Sequence, residues 1–459
     1  MDKRTFLKTS SLLLGGAIVL PFPGCQSPTS KQNASGASAE PLKNWAGNLE
    51  YSTGNVHYPK TVQEVQEVVK KCDKIRALGS RHSFNKIADS NENQVSLKEM
   101  NKVLSLDKNA NTVTVEGGAR YGEFAGYLHE NGYALPNLAS LPHITVIGAC
   151  ATATHGSGVK NGNLSTSVSA IEFVNAAGEV VSLSKQKDGE EFYGAIVGLG
   201  ALGVVTKVTL DLLPTFDMKQ VVYRNLPMKE LKNNFDDIQS RGYSVSLFTN
   251  WQNKNINEVW IKSRVEKGNI TADDLELYGA KQATQNMHPV EDQSAENVTE
   301  QMGKPGPWHE RMPHFKMGFT PSTGKELQSE YFVPIEHAYE AMMAIETLHD
   351  KITPHLFISE IRTINADNFW MSPCYKKTCV TFHTTWKQEV EAVMGLLPLM
   401  EEKLAPFNPM PHWAKLSTMS PAVIQSGFEK LNDFKRLVAK HDPNGKFRNE
   451  FLSTTLFTG

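Results

Sequence analysis

The sequence predicts a mixed α+β protein of two domains, and three observations predict it. Capped amphipathic helices interleave with alternating strand-like runs over residues 41–215. A stretch richer in Trp, Met, Pro and His, with strand-like runs of its own, follows over residues 216–430. The chain's 459 residues, 40% hydrophobic and 21% charged, supply enough apolar surface for two sizeable cores. A formal net charge of -2 leaves no basic footprint for nucleic acid. The cysteines Cys25, Cys72, Cys150, Cys374 and Cys379 are too scattered for a disulfide framework and form no Cys-x-x-Cys zinc or redox pair. All but Cys25 read as buried small hydrophobes, and no metal site is expected.

The first 25 residues read as an export signal. Asp2 to Lys8 form a basic segment that resembles a twin-arginine motif with Lys3 in place of the first arginine, and residues 12–20 are a short apolar core. That core is too short to span a membrane. Gly24-Cys25 resembles a lipoprotein processing site, so Cys25 is a candidate lipid anchor. Residues 26–40 contain no Ile, Leu, Val or Phe and read as a flexible tether.

Thr61-Val62-Gln63-Glu64 is a capping box opening a helix with Val62, Val65 and Val69 on one face, and residues 75–78 read as the following strand. Val113 and Val115 alternate with polar neighbours ahead of Gly117-Gly118. Residues 121–131 look helical up to Gly132. Residues 169–174 and 179–183 flank Asn175-Ala176-Ala177-Gly178, a hairpin signal. A further alternating run over 204–213 ends at Pro214, which places a boundary near 215. Strand-like runs recur at 243–250, 259–265, 357–363 and 380–386, and residues 431–459 are expected to return to the first domain.

Gly198, Gly200 and Gly203 fit the dinucleotide fingerprint Gly-x-Gly-x-x-Gly, which must follow a strand and open a helix. Here residues 188–196 look helical and 204–213 look like a strand. The order is inverted, and a nicotinamide site is rejected. Better candidates are two loops rich in Gly, Ser and Thr, whose backbone N–H groups can approach a pyrophosphate. They are Gly79-Ser80-Arg81-His82-Ser83-Phe84-Asn85 and the run from Gly148 through Thr152, Thr154 and His155 to Gly158.

In the second domain Glu360 and Arg362 sit two apart on a strand, so they share a face. A lone Glu-x-Arg is more often a salt bridge on a solvated sheet. His383 and Thr385 repeat the geometry, with Phe382 and Trp386 on the opposite, apolar face, and two such stripes imply one lined cavity. Lys415 follows Pro411-His412-Trp413-Ala414, and lysines acquire lowered pKa values when buried near other cations.

With these residues the chain resembles the vanillyl-alcohol-oxidase-type (PCMH-type) FAD-binding flavoproteins, and within them the alditol oxidases and related aldonolactone oxidases. The match runs through the 79–85 loop, Ser140, Ala153-Thr154-His155, Gly200 to Val205, Glu360-Ile361-Arg362, His383-Thr384-Thr385 and the 411–415 segment. It covers essentially the whole chain after residue 43. It implies that family's two-domain fold, an FAD domain over 41–215 with a substrate (cap) domain over 216–430. His82 would carry the flavin covalently. Ser80, Arg81, Ser83, Phe84, Ser140, Thr145, Gly148, Thr152, Ala153, Thr154, His155 and Val205 would contact FAD, and Arg81 stands where the family commonly has glycine. Lys415 and Arg362 would polarise the reacting hydroxyl, and Ser140, Glu360, His383 and Thr385 would bind the remaining hydroxyls of a small polyol. The implied reaction passes a hydride to flavin and reduces dioxygen to hydrogen peroxide. The competing expectations are an aldonolactone substrate, electron transfer to a cytochrome or quinone, and, from a different class, a lipid-anchored sugar-binding module with no reaction.

Overall fold

The computed structural model describes residues 41–265, 276–318 and 325–457; the export segment, the tether and Cys25 lie outside them. The first helix, α1 (Val62–Lys71), forms where the pattern places it. Thr61 Oγ1 accepts the Glu64 N–H at 3.1 Å, and Val65 and Val69 are buried. The Glu64 carboxylate accepts from the Lys60 N–H at 2.8 Å instead of closing on Thr61, so the return half of the capping box is shifted by one residue.

The strand expected over 75–78 is confined to Arg76–Ala77, which pairs in parallel with Gln94–Val95. Arg76 explains the departure. Its buried guanidinium donates to the carbonyls of Ile87, Leu199, Gly200 and Phe447 at 2.6 to 2.9 Å, so it ties together four separate segments. Burial lowers its pKa to about 10 against the field of Asp442.

Five strands make the first sheet: β1 (Val103–Asp107), β2 (Thr112–Glu116), β3 (Val168–Val174), β4 (Val180–Ser184) and β5 (Val204–Asp211). Their order is β1-β2-β5-β3-β4 and every pairing is antiparallel. Along β5 burial alternates residue by residue, as the sequence pattern requires of a sheet covered on one face. The glycines at 198, 200 and 203 lie between the helical segment Lys185–Ile196 and β5, the reverse of a dinucleotide turn.

The second sheet is built on β6 (Asp217–Pro227), β7 (Ser244–Thr249), β8 (Asn255–Val265), β9 (Glu326–Pro334), β10 (Leu356–Ile364) and β11 (Cys379–Lys387), in the order β6-β8-β7-β10-β11-β9. One face packs Val245, Leu247, Tyr331, Ile361, Phe382 and Trp386 against the helices Leu231–Ser240, Ala338–Glu346 and Val390–Leu404. The other face carries Glu330, Glu360, Arg362 and His383. A shared apolar core joins Val113, Leu128 and Leu210 of the first sheet's surroundings to Phe332, Ile364, Trp413 and Phe434. The segment after Leu431–His441 reaches residues 86–89, where Asn449 Nδ2 donates to the carbonyls of Lys86, Ile87 and Asp89 at 2.9, 3.2 and 2.9 Å. Cys72, Cys150, Cys374 and Cys379 are buried free thiols.

Candidate active site

Glycine gives the first wall of the site its shape. A Cβ on either Gly79 or Gly148 would stand 2.7 Å from Thr145 Oγ1, which is itself buried and without a hydrogen-bond partner. A Cβ on Gly117 would meet Val205 O at 2.2 Å, and one on Gly118 would meet Leu97 O at 1.9 Å. These four glycines line a cavity of about 740 Å³, so backbone amides and an orphaned hydroxyl form part of its surface. That donor set fits a phosphate-bearing nucleotide. Arg81 holds the left-handed φ of 62° that glycine would supply, and its Nη1 donates to Lys43 O at 2.9 Å. The loop conformation is thus kept, at a cost of about 1–2 kcal/mol.

Ser80, Arg81, His82, Ser83, Ser140, Thr145, Gly148, Thr152, Thr154, His155 and Val205 line the cavity, and so do Glu360, Arg362, His383, Thr385 and Lys415. The structure therefore brings the two loops and both polar stripes to one space. Phe84 and Ala153 are not wall residues: Phe84 is buried edge-on to His82, and Ala153 is buried at a φ of 52°. Burial, with the nearby Lys415 and His143, lowers the His82 pKa to about 3 and keeps its ring neutral.

The second wall is a sheet ladder. Register pairs Glu360 with His383 and His383 with Glu330, so the three stand in one row across β10, β11 and β9. Arg362, Thr381 and Phe332 form the next row on one side, and Ile358, Thr385 and Gln328 the next on the other. Arg362 Nη1 donates to Ser140 Oγ at 3.3 Å, and its Nε lies 3.5 Å from Glu360 Oε1. Glu360 Oε1 also meets His314 Nε2 at 2.8 Å. Lys262, buried, donates to the carbonyls of Met312 and Pro313 at 2.7 and 2.8 Å and so holds the corner that aims His314.

Glu330 is the centre of this wall, and its side chain is 0% exposed. Oε2 accepts from Lys415 Nζ at 2.7 Å, while Oε1 lies 3.2 Å from Arg362 Nη2 and 3.1 Å from His155 Nε2. One carboxylate thus joins both cations to the second loop of the first wall. The Lys415 loop is pinned on two sides: His412 N–H and Leu416 N–H donate to Glu330 O and Gln328 O at 3.0 and 2.9 Å, and Asn85 Nδ2 donates to Trp413 O and Lys415 O at 2.9 and 2.8 Å.

Burial would raise the Glu330 pKa, but Lys415, His155 and Arg362 hold it well below the ordinary carboxylate range. Glu360 is depressed against burial in the same way, by Arg362 and His314. Burial lowers Lys415, with Glu330 opposing and Arg362 reinforcing the shift. Burial and then Lys415 push His383 well below the usual histidine range. Its neutral ring can both give and accept a hydrogen bond. Neither ring nitrogen has a hydrogen-bond partner, Glu360 Oε2 being 3.9 Å from Nδ1. The wall therefore offers two cations aimed at one place, flanked by unsatisfied polar groups, which is the equipment for polarising one hydroxyl and gripping others.

Sequence reading missed Glu330, Gln328, His314 and His412. Glu326, Gln328 and Glu330 share one face of β9, but Ser329 on the other face and the burial of every residue from Glu326 to Val333 leave no contrast to mark it.

Two family models match the chain, one in each half. Residues 54–184 match the model for an FAD binding domain, and residues 315–455 match that for D-arabinono-1,4-lactone oxidase. The chain is 43% identical over 418 residues to an alditol oxidase of Streptomyces sp. (strain IKD472 / FERM P-14339), covering 90% of this chain and 99% of that protein. It is 25% identical over 428 residues to L-gulono-1,4-lactone dehydrogenase of Mycobacterium tuberculosis (strain ATCC 25618 / H37Rv), covering 90% and 98%. Among solved structures, cholesterol oxidase from B. sterolicum shares the fold, with a TM-score of 0.72 at 13% identity over 91% of this chain and 96% of that one.

Proposed function

The chain belongs to the alditol oxidase family of FAD-dependent oxidoreductases, with aldonolactone oxidases as relatives, and from that premise we propose that it oxidises a primary hydroxyl of an alditol such as xylitol or sorbitol to the aldose, with dioxygen reduced to hydrogen peroxide. The observation that carries the reading is the shared cavity, in which the two glycine-rich loops face Arg362, Lys415 and the unpartnered ring of His383. Bound FAD supplies the hydride acceptor. The loops carrying Gly79 to Ser83 and Gly148 to His155 would hold it, with Thr145 Oγ1 free to bond it.

Arg362 and Lys415 polarise the reacting hydroxyl and stabilise negative charge developing on its oxygen. Ser140, Glu360, His383 and Thr385 take the other hydroxyls. Each buried polar group left without a partner costs about 1–3 kcal/mol, so an aliphatic or aromatic alcohol fits this wall poorly. Steady-state assays of xylitol and sorbitol against gulonolactone, with peroxide detection, test the reading. Polyol turnover with one peroxide per aldose is the expected result, and turnover of the lactone alone overturns it. Polyol turnover with a quinone or cytochrome but not with dioxygen would keep the substrate and change the acceptor.

His82 is the proposed covalent attachment point, supported by its place in the cavity and its neutral ring. His82→Ala is expected to release all its flavin on acid precipitation. Acid-stable flavin in that variant would move the attachment to another residue, His155 first.

The segment before residue 41 is proposed to direct export, with Cys25 as a lipid anchor. In fractionated cells the wild type should be membrane-associated and Cys25→Ser soluble in the periplasm. A wild type found wholly in the soluble periplasmic fraction removes the anchor, and unprocessed protein in the cytoplasm removes both.

A further inference from the structure

We propose that Trp45 is a positioning residue that presents the His82 ring for covalent attachment of the flavin; this rests on His82 being the attachment point. Among the described residues, none hydrogen-bonds the His82 imidazole. Two aromatic side chains pack against it. Trp45 lies against it with centroids 4.5 Å apart and planes tilted by 51°, and Phe84 meets it at 5.9 Å and 80°. A ring without a hydrogen bond to fix it takes its orientation from packing, to which these two side chains contribute.

Trp45 is also seated as a clamp would be. Its backbone N–H donates to Arg81 O at 2.8 Å, and Arg81 Nη1 returns a bond to Lys43 O at 2.9 Å. Asn44 Nδ2 donates to Ser83 O at 2.8 Å and Asn48 Nδ2 to Phe84 O at 3.2 Å. The 43–48 strap therefore follows the 81–84 loop nearly residue for residue, on both sides of His82. The far side of the strap is tied to the substrate sheet, where Gln388 Nε2 donates to Ala46 O at 2.9 Å. Trp45 and His82 both line the cavity, so the clamp acts at the surface the cofactor meets. Among the described residues, no hydrogen bond or ring contact ties Trp45 to the row of Glu360, His383 and Glu330, which separates it from the oxidation of the alcohol.

Attachment forms a bond between a His82 ring nitrogen and the flavin 8α-carbon. The imidazole gives up one proton and the methyl group one hydrogen. The isoalloxazine gains both hydrogens and two electrons, and dioxygen then removes them as hydrogen peroxide. The ring must meet the carbon along its lone pair, and a displacement of roughly 1 Å in such an approach costs about 100-fold in rate.

The test follows attachment rather than turnover. Full-length chain produced under riboflavin limitation is mixed with FAD, and acid-stable flavin is measured over time in wild type, Trp45→Ala, Trp45→Leu and Trp45→Phe. Quenching of flavin fluorescence measures noncovalent binding in parallel. Attachment is expected to slow about 10- to 100-fold in Trp45→Ala and Trp45→Leu, with binding within about threefold of wild type and Trp45→Phe close to wild type. Attachment at the wild-type rate in Trp45→Leu overturns the proposal, and that variant decides if Trp45→Ala binds no FAD. Acid-stable flavin persisting in His82→Ala would overturn the attachment point itself, a result distinguishable from failure of the clamp.

Discussion

Lys415→Ala will lower the rate of anaerobic flavin reduction by about 100- to 1000-fold, the usual loss when one preorganised group is removed from a developing oxyanion. Reoxidation by dioxygen should be unchanged, because the change is confined to the alcohol side of the site. Burial places the Lys415 pKa below the 10.5 of a free lysine, so its neutral form becomes available at lower pH. If neutral Lys415 is also the base that takes the hydroxyl proton, the wild-type rate of flavin reduction should rise with pH through one ionisation that is missing from the variant; if it acts only as a cation, the rate should fall through that ionisation. Stopped-flow reduction across pH measures both. A variant that reduces flavin at the wild-type rate would make the lysine structural and pass the proton to His383.

Glu330→Gln should be as damaging for a different reason. The amide keeps the shape of the carboxylate but leaves Lys415 and Arg362 buried beside a neutral group, and removing one partner of a buried ion pair costs about 3–5 kcal/mol. Denaturant unfolding at neutral pH reads that loss. The sign of its pH dependence follows from the depressed Glu330 pKa. The carboxylate's contribution is complete above the ordinary value of 4.5 and is lost only as pH falls through the lower folded value, so wild type and variant converge in acid. The variant should also move the ionisation in the rate profile. Glu330 is the group that opposes the lowering of the Lys415 pKa, so its neutralisation carries the ionisation to lower pH. An unshifted profile would separate Glu330 from Lys415 in function.

The two cofactor loops were legible because each is rich in Gly, Ser or Thr around a histidine, and the Glu360/Arg362 and His383/Thr385 stripes because each polar pair sits two apart, with Ile361 in one strand and Phe382 and Trp386 in the other on the opposite face. Lys415 was legible chiefly through resemblance, since nothing local distinguishes it from a surface lysine. Glu330 was not legible for two physical reasons. All residues of β9 from Glu326 to Val333 are buried, so the contrast between a wet and a dry face is lost. Its neighbour in the sheet is β11, about fifty positions later, and that adjacency belongs to the topology rather than to any stretch of chain. Arg76 was hidden similarly. It reads as one residue of a short strand, and its acceptors lie up to 371 positions away.

That last separation has a consequence for the order in which the protein becomes itself during synthesis. Domains emerging from the ribosome ordinarily fold as units, the N-terminal one first. Here the Arg76 guanidinium waits for Phe447, and the carbonyls of Lys86, Ile87 and Asp89 wait for Asn449. The half of the molecule that is made first is therefore completed last, and a ribosome-bound chain that stops short of residue 450 holds its flavin loops without their closing clasp.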